Sequence, residues 1–121
     1  MISSSEFIRG YSEILVLSIL NKKDSYVYEL VQNISDYSKG QIIITNPSML
    51  FIVRKLYDEG KLSSYDKADE RGVLRKYYRI TTEGKKYYDN YKQDYLESLK
   101  SMQKILLGEF LLWKNGSINV C

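Results

Sequence analysis

The sequence contains no histidine. That absence removes the side chain that most often serves as general base or metal ligand near neutral pH. There is a single cysteine, Cys121, so no disulfide framework can form within the chain and a reducing, intracellular setting is expected. Without a Cys/His cluster nothing would hold zinc, and no metal or other cofactor is expected. Phosphate-cradling loops of the GxxxxGK type and nucleophile elbows are missing as well. Cys121 is a nucleophile in principle, but a terminal cysteine lacks a positioned base. These absences predict a protein that is not an enzyme. Proline is equally scarce: Pro47 is the only one, which favours long helices over a loop-rich β fold. The longest apolar run, residues 14–20, is interrupted by Ser18 and falls far short of the ~20 residues that span a bilayer. Residues 1–6 lack the basic region and cleavage site of a signal peptide. No membrane partner is expected, and the location read from the sequence is cytoplasmic.

What is present suits one globular domain: 121 residues, 44% hydrophobic and 27% charged. Such a length buries a core without staples. The net charge is +3, from 18 basic against 15 acidic residues. A balance this mild permits a nucleic-acid partner without demanding one, so the clustering of charge matters more than its sum.

Hydrophobic spacing predicts a helix over residues 5–21, with Phe7, Tyr11, Ile14, Leu15 and Ser18 on one face. A buried strand is the competing reading, and length favours the helix. A second helix is predicted from Tyr26 to about Ser38, capped by Asp24 or Ser25, with Tyr26, Leu30, Ile34 and Tyr37 facing inward. Gly40 suits the left-handed position after it. Ile42, Ile43 and Ile44 read as a brief strand or a buried connector. Thr45-Asn46-Pro47 is a cap followed by proline, the clearest helix start in the chain. This third helix should run to Glu59 and stop at Gly60. Leu50, Val53, Leu56 and Tyr57 form its expected inner stripe, with Ser48, Phe51, Ile52, Lys55 and Glu59 outside.

Residues 62–65 and 75–80 then read as two strands of a hairpin. Residues 66–73 between them are charged and should project as a flexible loop. Thr81 or Thr82 caps a last helix, predicted from about Glu83 to Trp113. Its stripe is Tyr88, Tyr91, Tyr95, Leu99, Met102, Leu106, Phe110 and Trp113, at a mean spacing close to the helical period.

Three helices, a hairpin and a last helix describe a mainly α fold with a small β-hairpin: a winged helix-turn-helix plus a long C-terminal dimerisation helix. The expected division is a DNA-binding domain over residues 1–81, the dimerisation helix over 82–114, and a disordered tail over 115–121. An α-helix fits the major groove while a basic hairpin touches the backbone beside it. Lys67, Arg71, Arg75, Lys76 and Arg79 cluster in or beside the wing, and Arg54 and Lys55 sit on the third helix. The last helix carries an apolar stripe roughly 40 Å long at ~1.5 Å per residue. A second copy would cover it, giving a homodimer on a palindromic operator. Folding back on its own first helix is the alternative, and both can hold. The chain has 12 tyrosines. Tyr77 and Tyr78 are expected to be split between core and surface. Tyr91 and Tyr95, facing their counterparts across a two-fold, could leave a slot for a planar aromatic molecule; plain packing is the competing role.

Several segments carry a resemblance to a known family. Residues 13–20 and 25–30 resemble the opening of PadR-family regulators. Residues 48–51, 54–56 and 58–60 resemble their recognition helix. Arg71-Gly72, residues 75–81 and Glu83-Gly84 resemble their wing and the entry to the last helix. The resemblance covers about residues 5–107 and extends to the short subfamily with a single dimerisation helix, which includes multidrug-binding repressors. It implies a homodimeric winged-helix transcriptional repressor that aromatic ligands release from double-stranded DNA. By position it implies DNA contacts at Tyr28, Ser48, Phe51, Arg54 and Lys55, with Arg75 and Lys76 in the wing. Tyr95 stands where drug-binding relatives carry a stacking tryptophan, with Leu99 one turn on. The sequence departs from the family at Ser48, Phe51 and Ile52, where glycine, tyrosine and often proline are usual. A competing function remains a winged-helix module that binds another protein and has lost DNA.

Overall fold

A computed structural model of the chain describes residues 2–3 and 10–109. The element order is β1 (Ile2–Ser3), α1 (Ser12–Leu20), α2 (Val27–Tyr37), β2 (Ile42–Ile43), α3 (Asn46–Asp58), β3 (Leu62–Ala68), β4 (Leu74–Ile80) and α4 (Thr82–Leu106). This is the mainly α winged helix expected, with one antiparallel hairpin and a long last helix. The chain falls into two compact units, Met1–Asp89 and Asn90–Cys121. Among the described residues no helix is long and apolar enough to cross a membrane.

The first unit is organised round Val16, Leu17, Leu30, Met49, Val53 and Leu56, all fully buried. They come from α1, α2 and α3, the three helices of the helix-turn-helix. α1 is apolar on nearly every side because other elements cover it on several sides. The described part starts at Ser12; Phe7 and the predicted helix start at Ser5 lie outside the described residues. Ile42 and Ile43 are a strand indeed, paired in parallel with Ile2 and Ser3, a partner the sequence did not announce.

α3 keeps its predicted start. Thr45 accepts a hydrogen bond from the Ser48 N–H at 3.3 Å, and Pro47 sits in the first turn. Its inner face is different from the predicted one. Met49, Ile52, Val53 and Leu56 are buried, at spacings of three and four, whereas Tyr57 is exposed. Ile52 was expected outside and Tyr57 inside; the helix is rolled toward Met49 because α1 and α2 pack there. In α2, Leu30 and Ile34 are buried as expected, but Tyr37 is exposed.

Neither Asp24 nor Ser25 caps α2; its flanking residue, Tyr26, makes no side-chain cap bond. Both residues serve the hairpin instead. Ser25 exchanges backbone hydrogen bonds with Tyr78 at 3.2 and 2.7 Å, adding a one-residue rung to β4. Its buried hydroxyl donates to Glu29 at 2.6 Å. Asp24 accepts from the Tyr65 hydroxyl at 2.6 Å and from Arg79 Nε at 3.0 Å. That bond to a carboxylate holds the Tyr65 hydroxyl pKa above its ordinary value. The base of the wing is thereby tied to the turn before α2.

The hairpin is longer than its hydrophobic pattern suggested, with Leu62 opposite Ile80 and Ala68 opposite Leu74. Residues 66–73 are therefore not a flexible loop. Only a short turn remains after Ala68, and Asp69 organises it. Its carboxylate accepts the backbone N–H groups of Arg71 and Val73, both at 2.9 Å, and Arg75 Nε at 3.1 Å. Gly72 takes the left-handed conformation (φ 83°) that closes the turn.

α4 is 25 residues long. Thr81 caps it: its hydroxyl accepts the Gly84 N–H at 3.0 Å. At the far end the Gly108 N–H bonds to the Ile105 carbonyl and the Glu109 N–H to Lys104, with Gly108 at φ 82°. That pattern terminates a helix, so α4 stops at Leu106 rather than continuing to Trp113. Phe110, Trp113 and Cys121 lie outside the described residues, as does the predicted tail.

Candidate nucleic-acid interface

Consecutive residues diverge by about 100° round a helix, and on α3 that step separates Arg54 from Lys55. Arg54 turns toward the wing. It lines an open cleft of about 400 Å³ together with Tyr28, Leu50, Leu74, Arg75 and Lys76. Four residues singled out from the sequence, Tyr28, Arg54, Arg75 and Lys76, thus converge from α2, α3 and β4.

Lys55 faces the other flank. Its ammonium donates to Glu13 of α1 at 2.7 Å and lies 3.0 Å from Glu59, one turn on. Glu59 also pairs with Lys61 at 2.9 Å. The hydrogen bonds that Lys55 donates to Glu13 and then Glu59 hold its pKa well above the ordinary lysine value. Those from Lys61 and Lys55 hold Glu59 below the usual carboxylate range. Lys55, expected to face DNA, stands here between two carboxylates and ties α3 to α1. Its partner Glu13 is 42 residues away, so no local pattern could have signalled the pair.

Alternation along the hairpin sorts the wing's cations in the same way. Lys67, Arg75 and Arg79 share one face with Tyr65 and Tyr77, and Lys76 lies on the opposite face with Tyr78. Arg75 is engaged by Asp69 and stacks over the Tyr26 ring, with its guanidinium 5.1 Å from the ring centre. Arg79 is paired with Asp24 and lies over Tyr65 at 4.9 Å. Lys67 stands 5.3 Å above the Tyr77 ring. Tyr77 and Tyr78, expected to be split between core and surface, are both buried. Tyr77 is flanked by the rings of Tyr26 and Tyr65 at 5.2 and 5.6 Å, and burial pushes its hydroxyl pKa up. Of the cations of α3 and the wing, Arg54, Lys67, Arg71 and Lys76 have no carboxylate within 4.0 Å among the described residues. The basic cluster of the wing therefore reduces to a smaller set of uncommitted charges.

Ser48 and Phe51 lie on the exposed side of α3. Phe51 is 69% exposed, and the Ser48 hydroxyl accepts from Thr45 at 3.0 Å in one arrangement of that pair. Arg71 sits exposed at the wing tip.

Asp69 gives the wing a pH dependence. Hydrogen bonds, first from the Val73 amide and also from Arg75 and the Arg71 amide, lower its pKa below the ordinary 3.8. A carboxylate depressed on folding stabilises above its unfolded pKa and loses that contribution as pH falls through the folded value. The turn should hold at pH 5–7 and loosen in acid below about 3.8. Faster amide exchange of Arg71 and Val73 on acidification, relative to amides in α1, is the expected result; Asp69→Ala should show it already at pH 6.

On α4, Tyr88 was assigned to a dimer interface and the structure places it elsewhere. It is only 8% exposed, and its hydroxyl shares a hydrogen bond of 3.2 Å with Ser18 of α1. The helix folds back on its own first helix at this point. Further along, Tyr91, Leu99, Met102 and Leu106 are exposed and Tyr95 is half-buried. Leu96 and Ile105, which lie off the predicted stripe, are exposed too.

Residues 16–90 match the family model of the transcriptional regulator PadR-like family. An uncharacterized protein X of Lysinibacillus sphaericus is 30% identical over 93 residues, 77% of this chain and 85% of that one. Among solved structures, a transcriptional regulator from Clostridium thermocellum superposes with a TM-score of 0.70 at 34% identity, covering 80% of this chain and 94% of that one. A PadR family transcription regulator from Clostridium difficile superposes with a TM-score of 0.65 at 31% identity, covering 80% and 99%.

Proposed function

Because the chain belongs to the PadR-like family and is a DNA-binding transcription regulator, we propose that it acts as a homodimeric repressor on a palindromic operator in the cytoplasm. α3 enters the major groove and the wing lies along the backbone. Phe51, Ser48 and Arg54 face bases or adjoining phosphates, and Tyr28, Arg71 and Lys76 hold the backbone. The observation that carries this reading is the meeting of Tyr28, Arg54, Arg75 and Lys76 round one cleft between α2, α3 and β4. Arg75 acts mainly by fixing the wing, since Asp69 and Tyr26 already engage it. The exposed stripe of α4 from Tyr91 to Leu106 meets its symmetry mate. A planar aromatic ligand seated at Tyr91, Tyr95 and Leu99 releases the DNA. The protein works by binding and performs no catalysis.

Exposed Phe51 is also what a protein-docking surface would carry. Buried Ile52 removes the second apolar residue that would have widened such a patch. Selection of duplexes from a random pool decides between the two readings. A repressor recovers a palindromic sequence whose binding weakens linearly on a log–log salt plot. Lys76→Ala should lower that slope by about 0.9 per subunit. Lys55→Met should leave it unchanged while costing at most about 1 kcal/mol of stability, the range of an exposed ion pair. Recovery of no preferred duplex would favour the protein-binding module.

A further inference from the structure

Two clefts meet at the junction of α3 with the wing. The one of about 400 Å³ already described and a second of about 270 Å³ share three lining residues, Arg54, Lys76 and Tyr78. Neither Arg54 nor Lys76 has a carboxylate partner among the described residues. Asp58 lines the second cleft, and Asp66 stands opposite Lys76 in the hairpin register. Neither comes within 4.0 Å of either cation.

Tyr78 is the unusual member. Only 4% of the residue is exposed, yet its hydroxyl makes no hydrogen bond to any described residue. No polar side-chain atom among the described residues is both fully buried and unsatisfied. The Tyr78 oxygen must therefore reach open space, and the space it borders is the pair of clefts. Burial raises its pKa, while Arg54, close enough to act on it through space, opposes that rise. The hydroxyl stays protonated at neutral pH and can donate. Two unpaired cations and one neutral donor, held by a rigid strand and a rigid helix, suit a singly charged tetrahedral anion with two free oxygens.

Resting on the reading that this face binds DNA, we propose that Arg54, Lys76 and the Tyr78 hydroxyl form a seat for one phosphodiester of the DNA backbone per half-site. Tyr78 is the residue that gives the seat its position. A lysine on a flexible stem holds a phosphate loosely as a point charge. A buried tyrosine ring fixes its hydroxyl to the frame of the wing, and the wing base is tied through Ser25 to the start of α2. The phosphate held there sets where α3 lies in the groove. The pattern Tyr77-Tyr78 in the sequence gave no sign of this, because only the strand alternation places Tyr78, and not Tyr77, on the face that carries Lys76.

The test uses the full-length protein and the duplex recovered from the random pool, with binding followed by fluorescence anisotropy. Tyr78→Phe keeps the ring and should leave thermal stability unchanged. It should weaken binding about tenfold, the scale of a hydrogen bond to a charged group. Its salt slope should equal the parent's, because no charge is lost, whereas Lys76→Gln and Arg54→Gln should each flatten it. Single methylphosphonates placed along the duplex should then reveal one phosphate per half-site whose neutralisation weakens the parent more than it weakens Tyr78→Phe. Arg54→Gln and Lys76→Gln should couple to that same phosphate. Equal affinity of Tyr78→Phe and parent overturns the seat and leaves the DNA-binding reading standing, as does a methylphosphonate penalty identical in both at every position. If the parent binds no duplex, the functional reading falls and the seat with it.

Discussion

Replacing Gly84 by alanine should lower the melting temperature by roughly 10–20 °C. Gly84 is the third residue of α4, and its N–H bonds to the Thr81 hydroxyl. Thr81 in turn donates its N–H to the Lys61 carbonyl at 3.0 Å and its hydroxyl to the Gly60 carbonyl at 2.7 Å. The start of α4 is thus clamped to the turn between α3 and β3. A Cβ on Gly84 would overlap the Lys61 carbonyl oxygen and come within 2.8 Å of Ile80 Cγ1. The obstruction is backbone, which cannot rotate away, and that same carbonyl accepts the Thr81 N–H. Overpacking of this kind costs about 3 kcal/mol or more. For a unit of this size each kcal/mol shifts the midpoint by roughly 4–8 °C. Gly10 has no atom within 4 Å of its hypothetical Cβ, so Gly10→Ala is the control and should change stability by no more than about 0.5 kcal/mol. Calorimetry of both variants checks the contrast. A drop of only a degree or two for Gly84→Ala would mean that the corner yields.

The second large effect concerns α4. Leu99→Asp combined with Leu106→Asp should turn the proposed dimer into a monomer with its fold intact. Both side chains are exposed in the single chain, Leu106 by 87%, so the charges disturb no core of their own chain. In a paired helix they would be buried without partners, which is costly. A monomer also loses the second half-site as an intramolecular contact, which weakens binding by on the order of 10²–10⁴. Sedimentation velocity reads the mass, and anisotropy on the palindrome reads the affinity. A double variant that still sediments as a dimer would place the interface elsewhere. Tyr88→Phe should leave the mass untouched, because that hydroxyl belongs to the packing of α4 on Ser18.

Much of the architecture was legible because its signals are local. Thr45 and Pro47 mark the start of α3 whatever surrounds them, and the order of helices and strands follows from periodicity. The inner face of α3 was not legible. Apolar residues occupy positions 49–53, 56 and 57, so two overlapping stripes are available, and only the packing of α1 and α2 selects Met49 and Ile52 over Leu50 and Tyr57. Asp24 and Ser25 look like helix caps in sequence, but the strand they meet lies more than 50 residues away. The wing basics were visible, and their pairing was not: Asp69 captures Arg75, Asp24 captures Arg79, and Glu13 captures Lys55. A count of lysines and arginines on a helix or hairpin overstates the charge left for a polyanion when carboxylates arrive from other elements. Tyr78 shows the reverse error, a residue that reads as core and still presents a polar atom outward.

The turn at Asp69 has a thermodynamic consequence. A wing tip that is disordered before association must be ordered on contact, and the entropy of several residues is then subtracted from the binding free energy. Here one carboxylate already fixes the tip through two backbone amides and Arg75. Association at the tip can therefore proceed close to rigid-body fashion, and what the wing contributes to affinity is set in advance, in the folded monomer, by a residue that need not touch the partner at all.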